Sequence, residues 1–297
     1  MVATSEHYFP PGRSALRRVH GERAVGLLYG QRALLIGALD PLTYTGTMVS
    51  TSAGDYPFRR LAHTGIVQET IMLGTKAEAD EALAAVRRLH QRVKGELPES
   101  AGNLPAGTPY SAFDPESMLW TLACIADSGR VMYETMVRRL SDEEREDLWQ
   151  DYLLFGELFG MPRDAAPATY AQFRPWWRER MQSVGLRATE HARQVAPVVA
   201  FEQPVPRRME PGIKVNNLII KGTLPPRVHD VFGIGWTPGH QAAFEAITRT
   251  SRHTRRFLPR RIRRGRNDVT FELVIRTERE RGGTAGPPPP GSERLAA

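Results

Sequence analysis

Apolar residues recur every three or four positions along much of this chain, which is the spacing of amphipathic helices. Thr75 and Glu78 form a capping-box pattern, and the helix that it opens carries one apolar stripe. That stripe contains Ala79, Leu83, Val86, His90 and Val93. The opposite face contains Arg87, Arg88, Gln91, Arg92 and Lys94. The pattern predicts a helix with one buried face, and that face includes a histidine.

Capping signals predict further helices. Asp114-Pro115 is an N-cap followed by proline at the first helical position, and the broad apolar pattern beyond it predicts a central, buried helix. Asp127 falls inside this helix. Its carboxylate could pair with an arginine such as Arg60 or be exposed at the helix edge, and the sequence favours neither interpretation. The remaining predicted helices begin near Ala24, Ser141, Thr169 and Thr237, with a weaker one over 184–200.

Other segments lack a clear helical period. Residues 43–52 are rich in Thr and Ser and predict a loop or a weakly helical turn, and residues 215–220 predict either a short strand or a buried helix. Apolar and polar residues alternate from Asp268 to Arg276, which predicts a strand.

The chain therefore predicts a mostly α fold built as a single helical domain over residues 12–264. Residues 1–11 are expected to form a flexible N-terminus. Residues 265–297 are expected to form a basic to Pro/Gly-rich extension that is largely disordered apart from the short strand.

Charge is concentrated in one segment. The chain of 297 residues has 41% hydrophobic residues and a formal charge of +7. Eight arginines and no acidic residue occur between Arg252 and Arg266, and without them the charge of the chain is −1. Such a run most often forms a solvated face, but Phe257, Leu258 and Ile262 interleave it and permit peripheral contact with an anionic membrane. Nucleic-acid binding is not expected, because the run lacks a recognised reading motif and stacking aromatics.

Several classes of site are excluded. Cys124 is the only cysteine, so neither a disulfide framework nor a cysteine-ligated zinc or iron–sulfur site is possible within one chain. Phosphate-binding glycine loops, the Gly-x-Ser-x-Gly elbow and His-Glu-x-x-His are missing from the sequence. Neither a signal peptide nor a membrane-spanning segment is apparent, so we expect a cytoplasmic protein that is at most membrane-peripheral.

His90 is the first candidate for chemistry, because an imidazole on an apolar stripe needs a partner for its nitrogens. A core histidine satisfied by a carbonyl is one interpretation. A second imidazole, His63, lies upstream in the segment Arg59-Arg60-Leu61-Ala62-His63-Thr64. Two histidines on either side of a planar metal cofactor would explain both residues.

At these residues the chain resembles the catalytic domain of bacterial rubber oxygenases (latex-clearing proteins) and fungal ER-bound MpaB-type oxygenases. The resemblance covers roughly residues 12–264. It is carried, in order, by Arg60-x-x-His63-Thr64, Gly74-Thr75, 86–95, 109–115, Trp120, Asp127-Ser128, 156–162, 224–227 and 235–238.

The resemblance implies a helical haem b oxygenase. By resemblance, His90 matches the proximal iron ligand, and Arg60, His63 and Thr64 match the family's catalytic Arg-x-x-Lys-Thr group on the distal side. Because histidine replaces lysine at position 63, we predict that His63 is a displaceable sixth ligand. The expected partners are dioxygen and a small hydrophobic or aromatic metabolite, since a cytoplasmic enzyme would not meet rubber.

The chain departs from the family pattern at two other positions. Many relatives have His-Pro where this chain has Asp40-Pro41, and Trp-x-His where it has Trp120-Thr121-Leu122. These changes leave two alternatives open. One is a non-catalytic haem-binding or membrane-peripheral protein of the same fold, and the other is a structural domain without a cofactor.

Overall fold

The computed structural model describes residues 6–49 and 57–281 and is mostly α-helical, as the sequence predicts. The described helices are α1 (Ala15–His20), α2 (Arg23–Gly37), α3 (Pro41–Val49), α4 (Pro57–Leu73), α5 (Lys76–His90), α6 (Pro115–Met136), α7 (Asp142–Leu158), α8 (Tyr170–Gln182), α9 (Glu190–Phe201), α10 (Glu210–Thr223), α11 (Pro226–Phe232), α12 (Pro238–Thr254), α13 (Arg260–Arg263) and α14 (Asp268–Glu280). Strands β1 (Lys94–Glu96) and β2 (Pro109–Ser111) form an antiparallel pair.

The centre of the fold is the packing of α2 against α6. Both helices are buried over most of their length, and Trp120 of α6 is fully buried and donates its indole N–H to the carbonyl of Gly37 at 3.2 Å. Cys124 is buried in the same core, as expected for a small apolar residue. The broad apolar pattern after Asp114 therefore correctly predicts a central helix.

Capping residues begin several helices where the sequence predicts. Thr75 and Glu78 form a complete capping box at α5, and Ser141 and Glu144 form another at α7. Asp114, Thr169 and Thr237 cap α6, α8 and α12 through their side chains. On α5, Ala79 is buried and the predicted arginine face is exposed, while Leu83, Val86 and His90 are half-buried.

The predicted strand over 268–276 is wrong, because these residues belong to helix α14. Phe271, Val274, Ile275 and Glu278 recur at helical spacing and lie on the side that packs against α4. Val274 joins Phe58 and Ala62 of α4 in a small second core. The prediction of disorder after residue 265 is therefore wrong for residues 268–280, which form this helix. Residues 282–297 lie outside the described residues.

Three further segments bear on the sequence prediction, whereas residues 1–5 and 50–52 lie outside the described residues. Residues 43–49 are helical as part of α3, because Pro41 takes the first helical position and the Asp40 carboxylate accepts the N–H of Thr43 at 2.9 Å. Residues 6–11, expected to be flexible, lie against the start of α5. Phe9 is buried and the Lys76 N–H donates to the carbonyl of Glu6 at 2.7 Å. Residues 215–220 take the helical alternative, in α10.

Candidate functional site

The helices α4 and α5 bring the predicted site residues to one end of a helical hairpin. They pack against each other and are joined by the short turn at Gly74 and Thr75. The first turns of α4 therefore lie at the same end of the hairpin as the last turn of α5. Arg60 and His63 belong to the former, and His90 is the last residue of the latter.

His90 is half-buried, and its Nδ1 atom is buried without a hydrogen-bond partner among the described residues. The ring centroids of Phe113 and Phe159 lie 6.0 and 6.3 Å from that of His90. Burial lowers the pKa of His90, and the positive charge of Arg60 lowers it further. The lowered pKa favours the neutral imidazole in these apolar surroundings, and among the described residues no carbonyl accepts a hydrogen bond from Nδ1.

Arg60 connects α4 to α3. Its Nη1 atom donates to the carbonyl oxygen of Thr47, and its charge acts on both His90 and Tyr44. The positive charge of Arg60 therefore acts on the imidazole of His90.

Tyr44 and His191 form a pair that the sequence did not indicate. The Tyr44 hydroxyl lies 2.9 Å from His191 Nδ1, although the two residues are separated by 147 positions. Burial raises the pKa of Tyr44, which keeps its hydroxyl protonated near neutral pH, while Arg60 opposes this shift. Neither residue stands out in the sequence, because Tyr44 falls in a Thr-rich segment and His191 opens an ordinary helix, α9.

His63 and Thr64 lie on exposed positions of α4. The Thr64 hydroxyl donates to the carbonyl of Arg60 at 3.0 Å, within the same helix. Its oxygen can still accept a hydrogen bond from a ligand. His63 follows Arg60 by three positions, so it lies on the same side of the helix.

The start of α4 is held by α14. The buried carboxylate of Glu278 accepts the backbone N–H groups of Phe58 at 3.3 Å and of Arg59 at 2.5 Å. These are first-turn N–H groups that have no acceptor within their own helix. Glu278 therefore positions the turn of α4 that carries Arg60.

Asp127 does not pair with Arg60. It is buried in α6 and forms ion pairs with Arg32 at 2.9 Å and Arg130 at 2.7 Å. Arg32 also donates to Ser128 at 2.9 Å. This cluster joins α2 to α6 and belongs to the core.

Asp40 and Leu122, at the two positions where the chain departs from the family pattern, have structural roles. The buried Asp40 carboxylate forms an ion pair with Arg180 at 3.0 Å besides capping α3. Leu122 is buried in the main core. The Asp40 side chain therefore caps α3 and pairs with Arg180, and the Leu122 side chain packs in the core.

The described residues contain no cluster of three or more His, Cys, Asp or Glu side chains arranged to hold a metal ion. An open groove of about 540 Å³ lies between α2, α10 and α12, but none of its lining residues belongs to the site around His90. Among the described helices, none is both long and apolar enough to cross a membrane.

Comparison with known proteins gives one family and two relatives. The family model described as the catalytic domain of ER-bound oxygenase mpaB/B' and rubber oxygenase matches residues 17–253. Uncharacterized protein Rv2237 of Mycobacterium tuberculosis and Uncharacterized protein Mb2261 of Mycobacterium bovis are each 26% identical over 208 residues, which cover 69% of this chain and 78% of theirs. No solved structure matches the chain.

Proposed function

The chain belongs to the mpaB and rubber oxygenase catalytic-domain family, and we propose that it is a haem b oxygenase that acts on a small hydrophobic or aromatic compound. Membership assigns an oxygenase catalytic domain. The haem and the substrate class are our proposals. The observation that carries the haem proposal is the buried Nδ1 atom of His90, which has no hydrogen-bond partner among the described residues, beside the charge of Arg60.

The residues around His90 would suit an iron porphyrin held through the imidazole of His90. A porphyrin supplies four nitrogen ligands itself, so the protein needs to add only one or two imidazoles. Imidazole ligates iron in its neutral form, and both burial and Arg60 favour that form of His90. Phe113 and Phe159 supply the apolar lining that a porphyrin face requires.

When bound, haem would supply the activation of dioxygen, and the chain's own side chains would set access and charge. His90 would hold the iron. Arg60 carries a fixed positive charge and would stabilise negative charge on an anionic group held beside His90. Thr64 would contribute a hydroxyl on the same helix. The aromatic rings beside His90 would exclude water and favour an apolar substrate.

Tyr44 and His191 would hold one proton at the edge of this site. The protonated Tyr44 hydroxyl can donate to His191 Nδ1 at 2.9 Å, which would hold both side chains in place. The charge of Arg60 acts on the pKa of both Tyr44 and His90, so Arg60 links this pair to the proposed iron ligand.

The test is haem uptake by the full-length protein and its variants. Wild type titrated with hemin should show a saturating change in the visible absorption band at one equivalent. His90→Ala should lose tight uptake while its helix signal in circular dichroism persists. His253→Ala is a matched control, because His253 is exposed on α12 and lies outside the site.

Failure of wild type to take up hemin would overturn the haem proposal, and so would equal uptake by His90→Ala. If haem binds as expected, oxygen consumption in the presence of reductant and small aromatic probes tests the oxygenase proposal. Haem binding without any oxygen consumption that depends on a probe would favour the non-catalytic alternative, in keeping with the structural commitment of Asp40 and Leu122.

A further inference from the structure

We propose that residues 255–263, here called the basic corner, dock the protein onto an anionic membrane surface. The basic corner consists of the 3₁₀ turn Arg255–Phe257, helix α13 (Arg260–Arg263) and the residues between them. It follows α12 and lies beyond residues 17–253, the part that matches the family. The proposal goes beyond the oxygenase function and does not depend on haem.

The structure divides the eight arginines between Arg252 and Arg266 into two groups. Five of them form hydrogen bonds or ion pairs with other residues of the protein. Arg252 donates to the carbonyls of Glu134 and Thr135, Arg255 and Arg264 pair with buried Glu22, Arg263 donates to the carbonyl of Leu258, and Arg266 pairs with Asp268.

The other three arginines face solvent. Arg256, Arg260 and Arg261 are exposed and form no ion pair within the part of the chain that the structure describes. Arg256 lies over the ring of Phe257 at 4.8 Å, with a weak contact to His253 at 3.4 Å. The basic corner thus carries three outward positive charges, and its sequence contains no acidic residue to neutralise them.

Apolar side chains are exposed among these charges. Phe257 is 70% exposed, Ile262 is 54% exposed and Leu258 is 45% exposed. They are three of the eight large hydrophobic side chains that are exposed in the described chain, and they lie within six residues of one another. Exposed apolar side chains interleaved with arginines are the composition of a surface that inserts shallowly into the headgroup region of a bilayer.

An anionic bilayer explains both halves of this composition, whereas a nucleic acid explains only one. Phosphate groups of RNA would attract the arginines, but they would gain nothing from Leu258 and Ile262, and the basic corner offers a single aromatic ring for base stacking. A bilayer attracts the arginines through its surface potential and receives the aliphatic side chains in its acyl boundary.

The test is co-sedimentation of the full-length protein with vesicles of mixed phosphatidylserine and phosphatidylcholine, with pure phosphatidylcholine vesicles as reference. Wild type should bind the mixed vesicles and bind the neutral ones much more weakly. The double variant Arg260→Gln/Arg261→Gln should bind the mixed vesicles about 25-fold more weakly, since each arginine near such a surface contributes roughly fivefold. Phe257→Ser/Ile262→Ser should also weaken binding.

The matched control is Arg276→Gln/Arg279→Gln, which removes the same charge from exposed positions of α14 and should leave binding unchanged. The proposal is overturned if wild type does not bind the mixed vesicles, or if both double arginine variants bind them equally. It is also overturned if poly(U) RNA, but not the vesicles, binds in a manner that depends on Arg260 and Arg261. Vesicle binding can be measured with or without haem, so its failure is separate from failure of the proposed oxygenase function.

Discussion

His20 should make the folded protein less stable in mild acid. The ring is fully buried at the end of α1, with Nε2 2.6 Å from the Tyr152 hydroxyl and Nδ1 without a partner among the described residues. Burial lowers the pKa of His20 from 6.5 to about 3. The unfolded chain therefore binds a proton at His20 below about pH 6.5, while the folded chain remains unprotonated there until about pH 3.

Because the folded pKa is depressed, the contribution of His20 to stability is complete above the unfolded pKa and decreases as the pH falls toward the folded one. Each pH unit within that window costs about 1.4 kcal/mol. Between pH 8 and pH 5 the loss amounts to about 2 kcal/mol, and it depends little on the folded pKa as long as this stays below about 4.

The assay is urea unfolding followed by circular dichroism at several pH values between 8 and 5. Wild type should lose about 2 kcal/mol more unfolding free energy over this range than His20→Gln, which cannot titrate. Tyr152→Phe should keep the wild-type pH dependence, because burial and not the hydrogen bond is the cause of the shift. His253→Gln, at an exposed position, is the control. Equal pH dependence in wild type and His20→Gln would refute the reasoning.

Three further predictions concern the site and the core. In the hemin-loaded ferric protein, His63→Ala should shift the visible spectrum toward the high-spin form; an unchanged spectrum would remove His63 as a sixth ligand. Asp127→Ala should lower the unfolding free energy by about 3–5 kcal/mol in urea titrations, because it leaves Arg32 buried without its carboxylate. The control Glu280→Ala breaks the exposed pair with Arg276 and should lower the unfolding free energy by under about 1 kcal/mol. Equal losses in Asp127→Ala and Glu280→Ala would contradict the prediction. Thr75→Ala should cost about 1 kcal/mol by removing the α5 cap, and an unchanged urea midpoint would contradict it.

Local signals in the sequence were sufficient for much of the fold. Capping side chains act on backbone N–H groups two or three residues away, so Thr75, Asp114 and Ser141 could be recognised from the sequence alone. The same local pattern was misleading at α14. There a short alternation resembled a strand, while the helical spacing of Phe271, Val274 and Ile275 matched the surface of α4.

The candidate site was only partly predictable from the sequence. His90 was noticeable because it interrupts an apolar stripe, and the family motif led to Arg60, His63 and Thr64. The contacts between distant segments carry no such local signal, as Tyr44 and His191 show. Asp127 required a buried cation, but only the packing of α2 on α6 selects Arg32 and not Arg60. Such partners follow from the tertiary arrangement, which periodicity does not specify.

The most direct measurement for the proposed haem function is rescue of a His90→Gly variant by free imidazole. This variant removes the proposed iron ligand and leaves a space that a free imidazole can occupy. Without added imidazole, the variant should bind hemin weakly. Imidazole at millimolar concentration, roughly the dissociation constant of a small weak ligand, should restore the wild-type absorption spectrum. Hemin binding by His90→Gly with the wild-type spectrum and affinity, and no response to imidazole, would contradict the assignment of His90 as the iron ligand.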